Sequence, residues 1–94
     1  MKVNPRNLVK HELIGLLVKV SDSTHKEFVG ISGVIVDETT RTIKVLSKDG
    51  KIRVIPKDIC TFDITLPEGV IVRVEGKILI GRPEERIKKK LKYW

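Results

Sequence analysis

The chain has 94 residues and a formal net charge of +7, from nineteen Lys and Arg against twelve Asp and Glu. That length allows one domain, and the lone cysteine, Cys60, excludes a disulfide framework. Val, Ile and Thr supply 30 residues and Ala none, which excludes a helical bundle, because stiff β-branched side chains favour a pleated surface.

Asn4-Pro5 reads as a helix start, with Asn as the cap and Pro pre-set for the first helical position. Leu8, Val9, Glu12 and Leu13 continue it as a short amphipathic segment that Gly15 stops. From Leu16 the period changes to two: Leu16, Val18 and Val20 point one way, Leu17 and Lys19 the other. Ser21 to Glu27 is a polar loop. Val34 and Val36 then form a core-facing series against Ile35 and Asp37. Ile43 and Val45 follow, with Asp49-Gly50 as a tight-hairpin signal, and then Ile52 and Val54. Pro56-Lys57-Asp58 turns a corner into Phe62, Ile64 and Leu66. Pro67-Glu68-Gly69 leads to Val70, Val72 and Val74, and Glu75-Gly76-Lys77 to a last short run, Ile78-Leu79-Ile80. Pro83, Glu84 and Glu85 open a C-terminal basic helix whose apolar stripe is Ile87, Leu91 and Trp94.

Six or seven short strands with regular turn signals predict an all-β fold, a closed antiparallel barrel or a small sandwich, with the barrel favoured because a sheet this small needs to hide its edges. Ile35, Leu46, Ile55 and Ile71 fall on the side opposite the core series, where the terminal helices, a protein partner or the curvature of a small barrel would cover them. The expected layout is one domain over 1–94: an N-terminal helical arm at 1–13, the barrel at 14–81 and the basic helix at 82–94. The start of the chain has no apolar signal region, and the apolar stretch from Leu13 to Val18 is too short to span a bilayer, so a cytoplasmic protein is expected.

Chemistry is scarce. No Cys or His cluster has metal-ligand spacing, no Gly-rich phosphate loop appears, and His11 and His25 have no nucleophile nearby. The expectation is no catalytic residue and no metal site. Asp22, Asp37, Glu38, Asp49, Asp58, Asp63 and Glu68 read as turn chemistry, and Cys60 as a small buried apolar residue. The positive signal is charge: residues 82–94 carry six basic and two acidic groups, and residues 1–15 three basic and one acidic. Arg82, Arg86, Lys88, Lys89, Lys90 and Lys92 form one cluster and Arg6, Lys10 and His11 another, with Arg41, Lys48, Lys51, Arg53 and Lys57 as candidates to extend them. Such cations neutralise phosphates and release counterions. The aromatics are few. Phe62 reads as core and Phe28 as a cap on the barrel mouth, so the surface suits folded RNA better than unpaired bases.

Five segments in order resemble one family. Asn7-Leu8-Val9-Lys10-His11-Glu12-Leu13-Ile14-Gly15-Leu16 is similar to the opening of the archaeal ribonuclease P protein component 1 family, whose eukaryotic counterpart is a 29-kilodalton subunit. Val29 to Thr39 resembles its central hairpin. Ile55-Pro56-Lys57-Asp58-Ile59-Cys60-Thr61-Phe62 resembles its next signature, where members often carry Ala at the place of Cys60. Leu66-Pro67-Glu68-Gly69 and Gly81-Arg82-Pro83-Glu84-Glu85-Arg86 complete the set. The long N-terminal extension of eukaryotic members is missing, which points to the archaeal type.

The resemblance implies an Sm-like antiparallel barrel of about six strands with a short N-terminal helix and a basic C-terminal helix. It implies an RNA-binding subunit of ribonuclease P, the ribonucleoprotein that removes 5′ leaders from precursor tRNA. Catalysis there belongs to the RNA subunit with its magnesium, and this chain binds no cofactor. The implied partners are ribonuclease P RNA, a zinc-ribbon protein subunit, and precursor tRNA through the holoenzyme, with no membrane. Lys10, His11, Arg82, Arg86, Lys88 and Lys89 are expected to face RNA, and Leu8, Val9 and Leu13 the protein partner. The alternatives are a general RNA-binding or ribosome-associated barrel, a protein-interaction scaffold whose charged ends only aid solubility, and an independent nuclease.

Overall fold

A computed structural model describes residues 13–81. Six strands form one antiparallel sheet: β1 (Leu17–Ser23), β2 (Ser32–Glu38), β3 (Thr42–Ser47), β4 (Ile52–Pro56), β5 (Cys60–Thr65) and β6 (Ile71–Glu75). Their spatial order is β4-β3-β2-β1-β5-β6. The first strand is therefore central, bonded to β2 on one side and β5 on the other. The Asp49-Gly50 signal makes the β3–β4 hairpin, with Gly50 at φ +82° and the Ser47 N–H bonded to the Lys51 carbonyl at 3.0 Å.

The expected closed barrel is corrected: the ladder is open, and β4 and β6 are its two edges. The expected seventh run, Ile78 to Ile80, is not a strand either, since Gly76–Leu79 is a 3₁₀ turn. Gly76 lies so close to the chain that a Cβ there would stand 1.7 Å from the Lys57 carbonyl oxygen, and at this contact the backbone leaves β6 after Glu75 and enters the 3₁₀ turn. Edge strand β4 carries Arg53 opposite Val45, on the core-facing side, and ends at Pro56. A charged side chain and a proline on an edge strand both discourage edge-to-edge pairing.

The core gathers Leu13, Leu16, Val18, Val20, Ile35, Ile43, Val45, Ile55, Cys60, Phe62, Ile64, Leu66, Val74 and Leu79, with Phe28 partly buried against it. The core-facing series expected for β1, β3 and β5 hold. Those of β2 and β4 are inverted: Ile35 and Ile55 are buried, while Val36, Ile52 and Val54 are exposed. In β2 the cause is a bulge between Ile35 and Asp37, which places Ile35 and Glu38, three residues apart, on the same inner face. In β4 the register sets Ile55 opposite the buried Ile43, and directly opposed residues share a face. A second bulge, between Val20 and Asp22 in β1, turns Ser23 inward beside Cys60.

Candidate nucleic-acid interface

The end of the sheet that holds the β2–β3 turn is built around a buried ion pair. Lys57 Nζ donates to Glu38 Oε2 at 2.7 Å, and both side chains are almost wholly buried (0% and 1% exposed). Lys57 also donates to the carbonyls of Thr39 at 2.8 Å, Thr40 at 3.4 Å and Gly81 at 2.9 Å. The other oxygen of Glu38 accepts the Leu13 N–H at 3.4 Å. Gly81 in turn donates its N–H to the Thr40 carbonyl at 2.7 Å. The β2 bulge delivers Glu38 to the inside, and the Pro56 corner delivers Lys57 to it. Lys57, a candidate for the basic surface on sequence, is corrected to a core residue, and Glu38 is one partner of a buried pair rather than turn chemistry. A lysine in a Pro-Lys-Asp corner reads as solvated because three of the four acceptors that hold it are main-chain carbonyls, which leave no mark in a sequence.

This arrangement bonds Leu13 and Gly81, the two ends of the described chain, to the same pair of side chains. Beyond them lie residues 1–12, with three basic groups and one acidic, and residues 82–94, with six basic and two acidic. Lys10, His11, Arg82, Arg86, Lys88 and Lys89 lie in those segments, outside the described residues, as do Leu8 and Val9 and both expected terminal helices. Leu13 is described and sits in the core, 0% exposed, so its side chain packs within this chain. Arg41, exposed on the β2–β3 turn, stands at the same end, and its carbonyl accepts the Lys57 backbone N–H at 2.8 Å.

Three other described cations, Arg73, Arg53 and Lys44, are paired on the surface. Arg73 grips Asp63 with Nε at 2.8 Å and a terminal nitrogen at 3.2 Å, which holds the Asp63 carboxyl below its ordinary range and raises Arg73. Arg53 reaches Asp49 at 3.3 Å. The Asp49 carboxyl is held low first by the Ser47 hydroxyl, 2.6 Å away, and then by the Lys51 N–H. Lys44 lies 3.9 Å from Asp37. Burial pushes the Cys60 thiol up, partly opposed by its bond to the Ser23 hydroxyl at 3.4 Å, and a buried protonated thiol is a poor nucleophile. Among the described residues no group of three or more His, Cys, Asp or Glu could hold a metal ion, and no helix is long and apolar enough to cross a membrane.

The outer face of the sheet carries a second feature. The register aligns Ile52, Leu46, Val34, Leu17, Thr65 and Ile71 in one row across all six strands. Ile52, Leu46, Leu17 and Ile71 are 60%, 40%, 53% and 64% exposed. The sequence placed Leu46 and Ile71 on this face but missed Leu17 and Ile52 as their neighbours, because only the strand order brings β1 and β4 into the same row.

Residues 6–89 match the family model described as ribonuclease P/MRP, subunit p29. The chain is 49% identical over 90 residues to ribonuclease P protein component 1 of Methanocaldococcus jannaschii, covering 96% of this chain and 94% of that protein. It is 46% identical over 90 residues to the protein of that name from Methanothermobacter thermautotrophicus, covering 96% and 97%. Among solved structures it is similar to Mth11, described as a homologue of the human RNase P protein Rpp29, with a TM-score of 0.60 and 45% identity over 81% of this chain and 97% of that one. A family model spanning nearly the whole chain, with relatives close to half identical over full length, settles the matter: the chain belongs to the ribonuclease P/MRP subunit p29 family.

Proposed function

We propose that this chain serves ribonuclease P as an RNA-binding subunit, holding the catalytic RNA so that it removes 5′ leaders from precursor tRNA. Family membership along residues 6–89 supports the role in ribonuclease P, and the observation that carries the RNA contact is the departure of two basic segments from one end of the sheet. In this reading Lys10, His11, Arg82, Arg86, Lys88 and Lys89 lie against RNA phosphates, where affinity comes from counterion release and falls steeply with salt. Catalysis stays with the RNA and its magnesium, and this chain brings no cofactor of its own.

The same reading gives the chain a protein neighbour, the zinc-ribbon subunit of the enzyme, and a cytoplasmic place. The exposed apolar row on the outer face supports a protein contact, since contiguous apolar surface of this kind marks interaction sites. The fold follows the Sm-like pattern in this reading, with residues 1–94 as one domain and helices at both ends.

The test is precursor-tRNA cleavage at limiting magnesium by an archaeal ribonuclease P RNA and its other protein subunits, with and without this chain. Restored 5′-leader removal is the expected result. Unchanged cleavage, together with equal binding to unrelated RNA, overturns the reading and leaves a general basic RNA-binding module.

A further inference from the structure

The Lys57–Glu38 pair occupies the end of the sheet with the β2–β3 turn, and the β3–β4 turn lies at the other end. There the β3–β4 hairpin and the segment before β2 border a cleft of about 500 Å³, a size that suits a small ligand. Hydrogen bonds within the chain hold both borders. Gly30, at φ +90°, donates its N–H to the Val20 carbonyl at 2.9 Å, and the Ile31 carbonyl accepts the Val20 N–H at 2.9 Å. In the hairpin, Asp49 Oδ1 accepts the Ser47 hydroxyl at 2.6 Å and the Lys51 N–H at 3.1 Å. The other Asp49 oxygen accepts one N–H of Arg53 at 3.3 Å.

A guanidinium has five N–H donors, so the bond to Asp49 orients Arg53 and leaves donors for a ligand. Lys48 lines the same cleft, is exposed, and forms no ion pair among the described residues. Two cations on one concave surface suit a phosphate. A phosphate alone leaves part of the lining unmatched, because Glu27 also borders the cleft, with its side chain 73% exposed. A carboxylate repels a phosphate and accepts hydrogen bonds. A ribonucleotide matches both signs, since its phosphate is an anion and its ribose 2′-hydroxyl is a donor.

We propose that this cleft holds one backbone unit of the RNA, with Lys48 and Arg53 on its phosphate and Glu27 accepting a hydrogen bond from its ribose 2′-hydroxyl. The inference rests on the RNA-binding reading above and adds a contact within the described residues, at the end of the sheet away from the ion pair. Asp49 is a positioning residue here: it holds Arg53 and closes the hairpin.

The experiment measures binding of the full-length chain to a fluorescently labelled archaeal ribonuclease P RNA, and to a DNA strand of the same sequence, across a salt series. The variants are Lys48→Ala/Arg53→Ala, Lys48→Ala alone, Glu27→Ala, and Lys44→Ala/Lys77→Ala as a control that removes two charges away from the cleft. Lys48→Ala/Arg53→Ala is expected to reduce the slope of log affinity against log salt by about two and to bind RNA about tenfold or more weakly. The control pair should change affinity by less than about twofold. Glu27→Ala should bind the RNA about threefold more weakly, the loss of one hydrogen bond, and the DNA equally well or more tightly, because the repelling charge is gone and no 2′-hydroxyl is present.

A folded Lys48→Ala/Arg53→Ala chain with wild-type affinity and slope overturns the proposal, as does a control pair that loses as much. Should the double substitution disturb the hairpin, Lys48→Ala alone decides, since Lys48 takes no part in the bonds that close it, and an unchanged slope overturns the site. A Glu27→Ala chain that binds the RNA more tightly overturns the ribose contact. A wild-type chain without salt-dependent binding overturns the RNA-binding reading itself, and this inference with it.

Discussion

Ile52 and Ile71 occupy the two opposite edge strands of the sheet, yet they stand in the same row of its outer face, 60% and 64% exposed. Every strand between them contributes one residue to that row, and only Thr65 is polar. The row is far from the ion-paired end in character, so the two surfaces are separable by mutation.

Leu17→Lys and Ile71→Lys, made together, are expected to leave stability within about 0.5 kcal/mol, as surface substitutions usually do. Calorimetric titration with the zinc-ribbon subunit should show affinity reduced by about thirtyfold or more, the effect of losing a central apolar contact. Unchanged affinity in a folded variant would place the protein contact elsewhere on the chain.

Lys57→Met alone leaves the Glu38 carboxylate buried without its cation. The expected cost is about 3–5 kcal/mol, read as a large fall in the thermal midpoint. Adding Glu38→Leu should recover much of that loss, because the orphaned charge is then gone. A single substitution costing under about 1 kcal/mol would contradict the burial described for this pair.

Gly76→Ala and Gly69→Ala separate two uses of glycine. At Gly76 an added methyl meets the Lys57 carbonyl at 1.7 Å, so main chain must move. At Gly69 there is open space but φ is +92°, a conformation that costs an L-residue about 1 kcal/mol. Urea denaturation is expected to rank Gly76→Ala well below Gly69→Ala, and the reverse order would count against the tight approach of the 3₁₀ turn.

Asp49 and Asp63 give the fold a modest acid limb. Both carboxyls sit below their ordinary values when folded, through Ser47 and Arg73 respectively. A depressed carboxylate stabilises the fold above its unfolded value, near 3.8, and that contribution disappears as pH falls through the lower folded value. Urea midpoints between pH 5 and about pH 2.5 should therefore fall less steeply in an Asp49→Asn/Asp63→Asn variant. The difference should be small, since both ion pairs are solvent-screened.

Cys60 offers a check on burial. The native thiol, 4% exposed and raised in pKa, is expected to react with an aromatic disulfide reagent at least about a hundredfold more slowly than in denaturant, because reaction waits on opening. Rapid labelling of the native chain would contradict its place in the core.

Strand positions were legible wherever apolar and polar residues alternated, as in β1, β3 and β5. In β2 and β4 the runs Val34-Ile35-Val36 and Val54-Ile55 are apolar on both faces, and periodicity alone does not select one. A bulge settles the first and cross-strand register the second, and both are set by partners distant in sequence. The open ladder was hidden for a similar reason: whether β4 meets β6 is a matter of strand order between partners distant in sequence. Of the candidate site, the charge of the two ends was plain in the sequence. Their common point of departure was not, because it rests on Glu38 and Lys57, two residues that read as ordinary surface.

The central position of β1 has a kinetic side. Hairpins β2–β3 and β3–β4 close over a few residues, but β1 acquires its second neighbour only when Val20 finds Phe62, more than forty residues onward. Assembly therefore waits on a long-range encounter, the kind of topology that slows folding. Substitutions at this meeting point belong to the speed of folding as much as to its equilibrium, whereas changes in the β3–β4 turn act on a segment that forms early and locally.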